Sequence, residues 1–364
     1  MAMDMKTMKN MVVSDSIARL INIDFHGKGL YRIYETLRNK MGLPLTYAAA
    51  KGMIEKLSGL GKEDVVLIGT GFLIDPYHKP ETDGVVGAAL LARALDYVFH
   101  VTPVIVSESE SMETLRWTCT ASELQVSDCL DTAIKSKNTV CIMPFSKDVE
   151  EAKKQADDLL AKTNCKLMIS IERPGANEHG VYHSALGGNI NHKVAKIDYL
   201  FTEVSRRGGF TVGIGDLGNE LGVGNAQKEF FGLFPFGEKC LCGCGGGTIT
   251  SVCSDAPIIG MSSEIAVYGL LAALQEITEK ADILPSAELQ KRVLIQAALH
   301  GSVDGQTGRA SATIDIMTAD SVARIVALLH DVLYHGQLHT DNRPEFLEYL
   351  AQLPENPFDV RNNK

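Results

Sequence analysis

The sequence predicts an α/β fold, a mainly parallel sheet with helices on both faces in a three-layer, Rossmann-like arrangement. Two observations predict it. Short apolar or β-branched runs alternate with amphipathic stretches along the chain, the pattern of a parallel sheet covered by helices. The loops that follow the apolar runs are rich in glycine and polar residues, as ligand-binding loops at the carboxyl edge of such a sheet are.

Residues 1–60 read as a helical segment packed on the main domain, with Gly42 and Pro44 separating two helices. Residues 61–340 read as the α/β catalytic domain. Its strands are expected at "DVVLIGTG", "TPVIVSES", "NTVCIMPF", "CKLMISIE", "TVGIGD" and a piece around "TITSVCSD". Helices are expected over 84–99, 148–163 and 194–207. In the last of these Val194, Ile197, Leu200, Phe201 and Val204 fall at helical spacing and define one buried face. After residue 263 the chain again reads as mainly helical, and 341–364 form a C-terminal helix and polar tail ending in "NPFDVRNNK".

Composition narrows the function. The chain has 364 residues, 45% of them hydrophobic, and a formal net charge of −10. That length suffices for a sizeable core. An acidic chain without a basic face is a poor partner for nucleic acid or an anionic membrane, which leaves small molecules and protein subunits, a homo-oligomer among them. The start "MAMDMKTMKNMVVSDS" has no continuous apolar stretch of the secretory kind. Cys119, Cys129, Cys141 and Cys165 are scattered among apolar or helical residues, as reduced thiols are. A cytoplasmic location follows. The run "IAVYGLLAAL" is too short to span a bilayer and reads as a core helix.

The stretch "TVGIGDLGNELGVG" contains a literal G-x-G-x-x-G at Gly213, Gly215 and Gly218. A dinucleotide fingerprint also needs a helix opening on the phosphates and an acidic residue about 20 positions on, at the end of a second strand. Here Asp216 would repel a pyrophosphate, and the stretch at that distance is "GEKCLCGCGGG". What remains is a flexible loop with Asp216, Asn219 and Glu220, suited to a cation or an amine. On a first helical turn, Asp216 and Glu220 would share a face; capping is the competing role for Asp216.

Other loops add candidates. "GTGF" supplies Thr70 and Gly71, and Asp83 either caps the helix from Gly84 or faces a ligand. "SIERPGANEHGVYHS" places Glu172, Arg173, Asn177, His179 and His183 within a dozen residues. Glu172 ends an apolar run, so desolvation raises its pKa unless a cation, Arg173 being the nearest in sequence, lies beside it. Cys240, Cys242, Cys244 and Cys253 invite a zinc reading, but C-x-C-x-C is not the usual knuckle and no second pair follows. The spacing therefore predicts a tight glycine-rich turn without zinc.

In order along residues 15 to 335, "GTGF", "ETDGVVGAALLARAL", "IERPGANEHGVYHSALGGNI", "VGIGDLGNELGVGNA" and "HGSVDGQTGRASATID" resemble the carboxy-terminal catalytic domain of the D-glutamate cyclase family. One stretch departs: where members have Ser-Asn-Trp before a helix, this chain reads Ser262, Ser263, Glu264. The resemblance implies a lyase of D-amino acid metabolism that turns D-glutamate into 5-oxo-D-proline and water. Ring closure is intramolecular, so holding the chain curled removes much of the entropic barrier. The chemistry needs a base for the amine, donors or positive charge for the oxyanion, and an acid to release water. Glu172, Asp216 and Glu220 are the candidate acids and bases. Thr70, Gly71, Asp83, Arg173, Asn177, His183 and Asn219 are the candidate substrate contacts. Mg²⁺ or Mn²⁺ on Asp216 and Glu220, with Asn219 and Glu172, would suit oxygen ligands. Without it, amides at Gly71 and Gly215 with Arg173 or Lys193 would serve, and the sequence leaves the choice open. Two other functions fit the same residues: metal-assisted hydrolysis or dehydration of a related acid, and amino-acid binding without catalysis.

Overall fold

A computed structural model describes residues 4–353 and Phe358; the polar tail expected at the end of the chain otherwise lies outside the described residues. Three helices come first, α1 (Met5–Ile21), α2 (Leu30–Met41) and α3 (Leu45–Leu57). Strand β1 (Asp64–Thr70) leads into a small antiparallel ladder, β2 (Leu73–Ile74) with β3 (Lys79–Pro80), and then into α4 (Thr82–Phe99). Next come β4 (Thr102–Ser107), α5 (Met112–Ala121), β5 (Gln125–Ser127), α6 (Leu130–Lys135), β6 (Thr139–Pro144), α7 (Val149–Lys162) and β7 (Asn164–Ile171). A long irregular segment separates β7 from α8 (Ile197–Arg206) and β8 (Phe210–Gly215). Another, holding the short α9 (Gln227–Phe230), precedes β9 (Ala256–Ile259) and α10 (Ser263–Thr278). The remainder is α11 (Ala287–Leu299), a ladder of β10 (Thr313–Ile314) with β11 (Met317–Thr318), α12 (Ala319–Asn342) and α13 (Pro344–Gln352).

Seven strands form one sheet in the order β5-β6-β4-β1-β7-β8-β9, and every pairing in it is parallel. Alternation along β1 explains the layers. Val65 and Leu67 face a core shared with Ala152, Ala156 and Leu159 of α7 and Leu200 and Phe201 of α8. Val66 and Ile68 face the opposite core, with Met53 of α3, Val86 and Leu90 of α4, and Leu270 of α10. The four β1 side chains are fully buried, a contribution of about 1.5–3 kcal/mol apiece. Helix α7 shows how local chemistry sets an element: the Asp148 carboxylate accepts from the Glu150 and Glu151 N–H groups, both at 3.0 Å, and the acidic first turn suits the helix dipole.

Five expected strands appear within a residue or so of their sequence runs. The sixth does not. Residues 248–255 stay irregular because Thr250 Oγ1 and the Ser251 N–H both donate to the Ala176 carbonyl, at 3.0 and 2.9 Å. That ties the segment to the loop after β7, and the strand forms one step later as β9. The short edge strand β5 had no apolar run to announce it. The helix expected at 194–207 starts at Ile197, with Val194, Ile197, Leu200, Phe201 and Val204 all buried as the spacing requires. Among the described residues no helix is long and apolar enough to cross a membrane.

From β1 the chain moves outward through β4 on one side, and β7 returns on the other. The strand order therefore reverses between β1 and β7, where such sheets open a crevice at their carboxyl ends.

Candidate active site

A cavity of about 430 Å³ occupies that crevice. Phe72, Ile74, Glu81 and Asp83 reach it from the segment after β1, Glu172 from the end of β7, and Asp216, Leu217 and Asn219 from the end of β8. Lys28, Leu186, Gln306 and Asp315 close it from elsewhere in the chain.

Glu172 stands at the strand end with φ of +42°, a left-handed conformation that is uncommon for a side-chain-bearing residue and is often retained at functional sites. Its Oε2 accepts from Ser263 Oγ at 2.5 Å. Burial pushes the Glu172 carboxyl well above its ordinary range, and the nearby Asp83, Glu81, Asp216 and Glu220 carboxylates add to the shift. Asp216 is paired with Lys28, Nζ to Oδ2 at 2.5 Å, and the same ammonium reaches Asp315 Oδ2 at 2.9 Å. Burial opposes the Lys28 charge, but the two carboxylates outweigh it and the lysine is held above its ordinary value. Glu220 is pushed up to about 8 by burial and then by the Asp216 charge. Oxygen atoms of Glu172, Asp216 and Glu220 all lie within 4.8 Å of one another.

Asp216 and Glu220 converge, though not on a helix. The loop turns back on itself: the Glu220 carboxylate accepts from the Leu217 and Gly218 N–H groups at 3.0 and 2.7 Å, and the Glu220 backbone bridges to Pro174. Gly215 is required because a Cβ there would come within 2.4 Å of Glu220 Oε2, and Gly213 because one there would meet the Gly222 backbone at 2.4 Å. The glycines thus serve close packing against Glu220 and Gly222, and no helix opens at the loop to bind a phosphate.

The other candidates divide. Asp83 lines the cavity, but it does not cap α4. Its carboxylate accepts from the Ser263 and Glu264 N–H groups, at 3.2 and 2.6 Å, and so caps α10. Asn219 lines the cavity and donates from Nδ2 to the His183 carbonyl at 3.1 Å, while its Oδ1 is buried without a partner. Thr70 is buried beside Gly84, its hydroxyl unpartnered, and is not among the lining residues. Arg173 does not pair with Glu172: it points to the other side of the strand end, where it binds Glu108 through two contacts of 2.5 Å and donates to the Gly71 and Ala195 carbonyls. Asn177 and His183 lie beside the cysteine loop and do not line the cavity. Lys193 donates to the Leu73 carbonyl and to Asp75.

The departure from the family pattern falls here. Ser263 holds Glu172, and the Glu264 carboxylate accepts from the Gly87 N–H at 2.7 Å. Neither lines the cavity, and the link from this stretch to the cavity is the Ser263 contact with Glu172.

Sequence reasoning missed Lys28, Glu81 and Asp315. Each is an ordinary charged residue in its local context, and only the turn before α2, the segment before α4 and the loop between β10 and β11 bring them to the sheet edge. Glu81, Asp83 and Asp315 are also raised, first by burial and then by the neighbouring acids. The site is thus a buried cluster of acids with one lysine, part of it protonated at neutral pH, and it favours a cationic group on whatever it binds. The three clustered carboxylates also have the hard oxygen donors of a Mg²⁺ or Mn²⁺ site, with the Lys28 ammonium already against one of them.

A family model described as D-glutamate cyclase-like, C-terminal, matches residues 9–330. Among curated proteins, the mitochondrial D-glutamate cyclase of Homo sapiens is 29% identical over 218 residues, 57% of this chain and 32% of that protein. The matched part spans about a third of that relative's length.

Proposed function

This chain belongs to the D-glutamate cyclase-like family, and we propose that it cyclises D-glutamate to 5-oxo-D-proline with loss of water. The observation that carries the proposal is the buried carboxylate cluster around Lys28 at the reversal point of the sheet. In this reading Asp216, with Glu220 behind it, holds the substrate ammonium and draws a proton from it. The freed nitrogen attacks the side-chain carboxyl carbon, a C–N bond forms, and a C–O bond breaks. The two protons lost from the ammonium leave on the departing oxygen as water, so the step needs no co-reactant. Glu172, protonated because it is buried among acids, supplies the proton that makes the carboxylate attackable and the oxygen a leaving group. Lys28 offsets the oxyanion charge. Phe72, Ile74 and Leu186 line the cavity with apolar surface, which suits a curled methylene chain.

A second reading rests on the three clustered carboxylates: a divalent ion bound there would polarise the substrate carboxyl, and the enzyme would act on a related amino or hydroxy acid. Incubation with D- and L-glutamate, with and without EDTA, followed by chiral detection of 5-oxoproline, tests both. The proposal expects D-product in the presence of chelator; absence of 5-oxoproline under every condition sinks it, and loss of product with EDTA favours the metal. The family resemblance and the eight free cysteines also support placing the enzyme in D-amino acid metabolism in a reducing compartment.

A further inference from the structure

The spacing of the cysteines predicts a tight glycine-rich turn without zinc, and the fold adds a residue that the spacing does not show. His183 arrives from the segment after β7, 0% exposed, with its Nε2 3.3 Å from Cys242 Sγ and 3.7 Å from Cys244 Sγ. Cys240 Sγ lies 3.2 Å from Cys242 Sγ and 3.5 Å from Cys244 Sγ, and all four ligand atoms fall within 4.8 Å of one another. From sequence spacing alone a ligand so far from the cysteines is invisible.

We propose that Cys240, Cys242, Cys244 and His183 form a closed tetrahedral zinc site that fixes one wall of the active-site cavity. A tetrahedron built on Zn–S bonds of about 2.3 Å and a Zn–N bond of about 2.0–2.1 Å has S···S edges near 3.8 Å and S···N edges near 3.6 Å. The four separations given above differ from these by about 0.6 Å at most. The backbone is shaped for it. Gly243 and Gly245 adopt φ of +76° and +94°, so the chain curls and gathers cysteines that an extended strand would space about 6.6 Å apart along one face, and the Cys240 N–H closes the turn on the Gly246 carbonyl at 2.9 Å. Asn177 Nδ2 donates to Cys244 Sγ at 3.5 Å and to the Gly247 carbonyl at 2.9 Å, the outer-shell support that orients metal ligands. Three thiols with one imidazole are soft donors that select zinc over the hard ions suited to the carboxylates. Four protein ligands leave no open position, so the site is structural.

Its placement gives it a consequence. Ser184, Ala185 and Leu186, which follow His183, line the cavity. The His183 carbonyl accepts from Asn219 of the Asp216 loop, and the Leu241 N–H donates to the Gly187 carbonyl at 3.0 Å. A metal on His183 therefore pins this wall to the cysteine loop.

The test is metal analysis of the full chain purified without chelator from zinc-supplemented cells, with free-thiol counts and absorption spectra after exchange to Co²⁺. About one zinc per chain is expected, as a closed four-ligand site implies, together with the thiolate-to-cobalt charge-transfer and strong d–d bands of a tetrahedral site. Cys242→Ser and His183→Ala should lose both signals. Cys253→Ser, outside the set, should keep them. Folded wild-type protein that takes up neither zinc nor cobalt, or a Cys242→Ser protein with an unchanged cobalt spectrum, overturns the proposal. Because the wild-type cobalt spectrum is read directly, a variant that fails to fold does not decide the matter, and because metal content is read without turnover, the result stands apart from the assigned reaction.

Discussion

In the proposed reaction Ser263 acts through Glu172, and Lys28 acts on the substrate directly. Ser263 donates to Glu172 and so stabilises its ionised form; its removal raises the Glu172 pKa further. With Glu172 acting as the proton donor, Ser263→Ala is expected to move the alkaline limb of the kcat/KM profile to higher pH, and an unmoved limb would take Glu172 out of the acid role. Among the described residues Lys28 is the one ammonium lining the cavity. Lys28→Met should lower kcat by about 10²–10³-fold, the scale seen when a donor to a developing oxyanion is removed, and steady-state kinetics would show it. Neither partner was visible from the sequence around Glu172 or Asp216, because each contact joins segments far apart in the chain, whereas Glu172, Asp216 and Glu220 themselves were legible as acids in loops that follow apolar runs.

At the scale of elements, Arg173 and Glu108 lock the ends of β7 and β4 across β1. Both side chains are almost wholly buried, and Glu108 also accepts from the Ala195 N–H at 2.8 Å. Removing one charge of such a pair leaves the other uncompensated, so Glu108→Gln should cost about 3–5 kcal/mol in urea unfolding; a loss below 1 kcal/mol would mean that the pair is not holding the strands. The sequence put Arg173 next to Glu172 and so suggested that they pair, but neighbours at a strand end point to opposite sides of the sheet. The same physics explains what was legible. Runs such as 64–70 and 165–171 are apolar on both faces because helices cover both, so five strands could be read directly, whereas β9 was displaced by hydrogen bonds to the Ala176 carbonyl that no periodicity encodes.

For the whole molecule, the acid cluster ties stability to pH. Glu220 and Glu264 are pushed up to about 8 and about 7, each first by burial, and Glu81, Asp83, Glu172 and Asp315 move in the same direction. A carboxyl whose folded pKa lies above its unfolded value binds more protons in the native state. Its contribution is full below the unfolded value and is lost as pH rises through the folded one. The melting temperature should therefore fall as pH rises from about 4.5, the ordinary carboxyl value, toward 8, and Glu220→Gln should flatten the upper part of that slope. A melting temperature that climbs steadily over this range would contradict the buried, protonated state of the cluster. The most direct test of the central claim, that this cluster performs the ring closure, is kcat for Asp216→Asn measured beside its thermal melting. Asn is nearly isosteric, and Lys28 keeps Asp315 as a partner, so the fold should persist while turnover of D-glutamate falls by about 10²-fold or more, the scale of a lost acid-base group. A stably folded Asp216→Asn protein with near-normal turnover would contradict it.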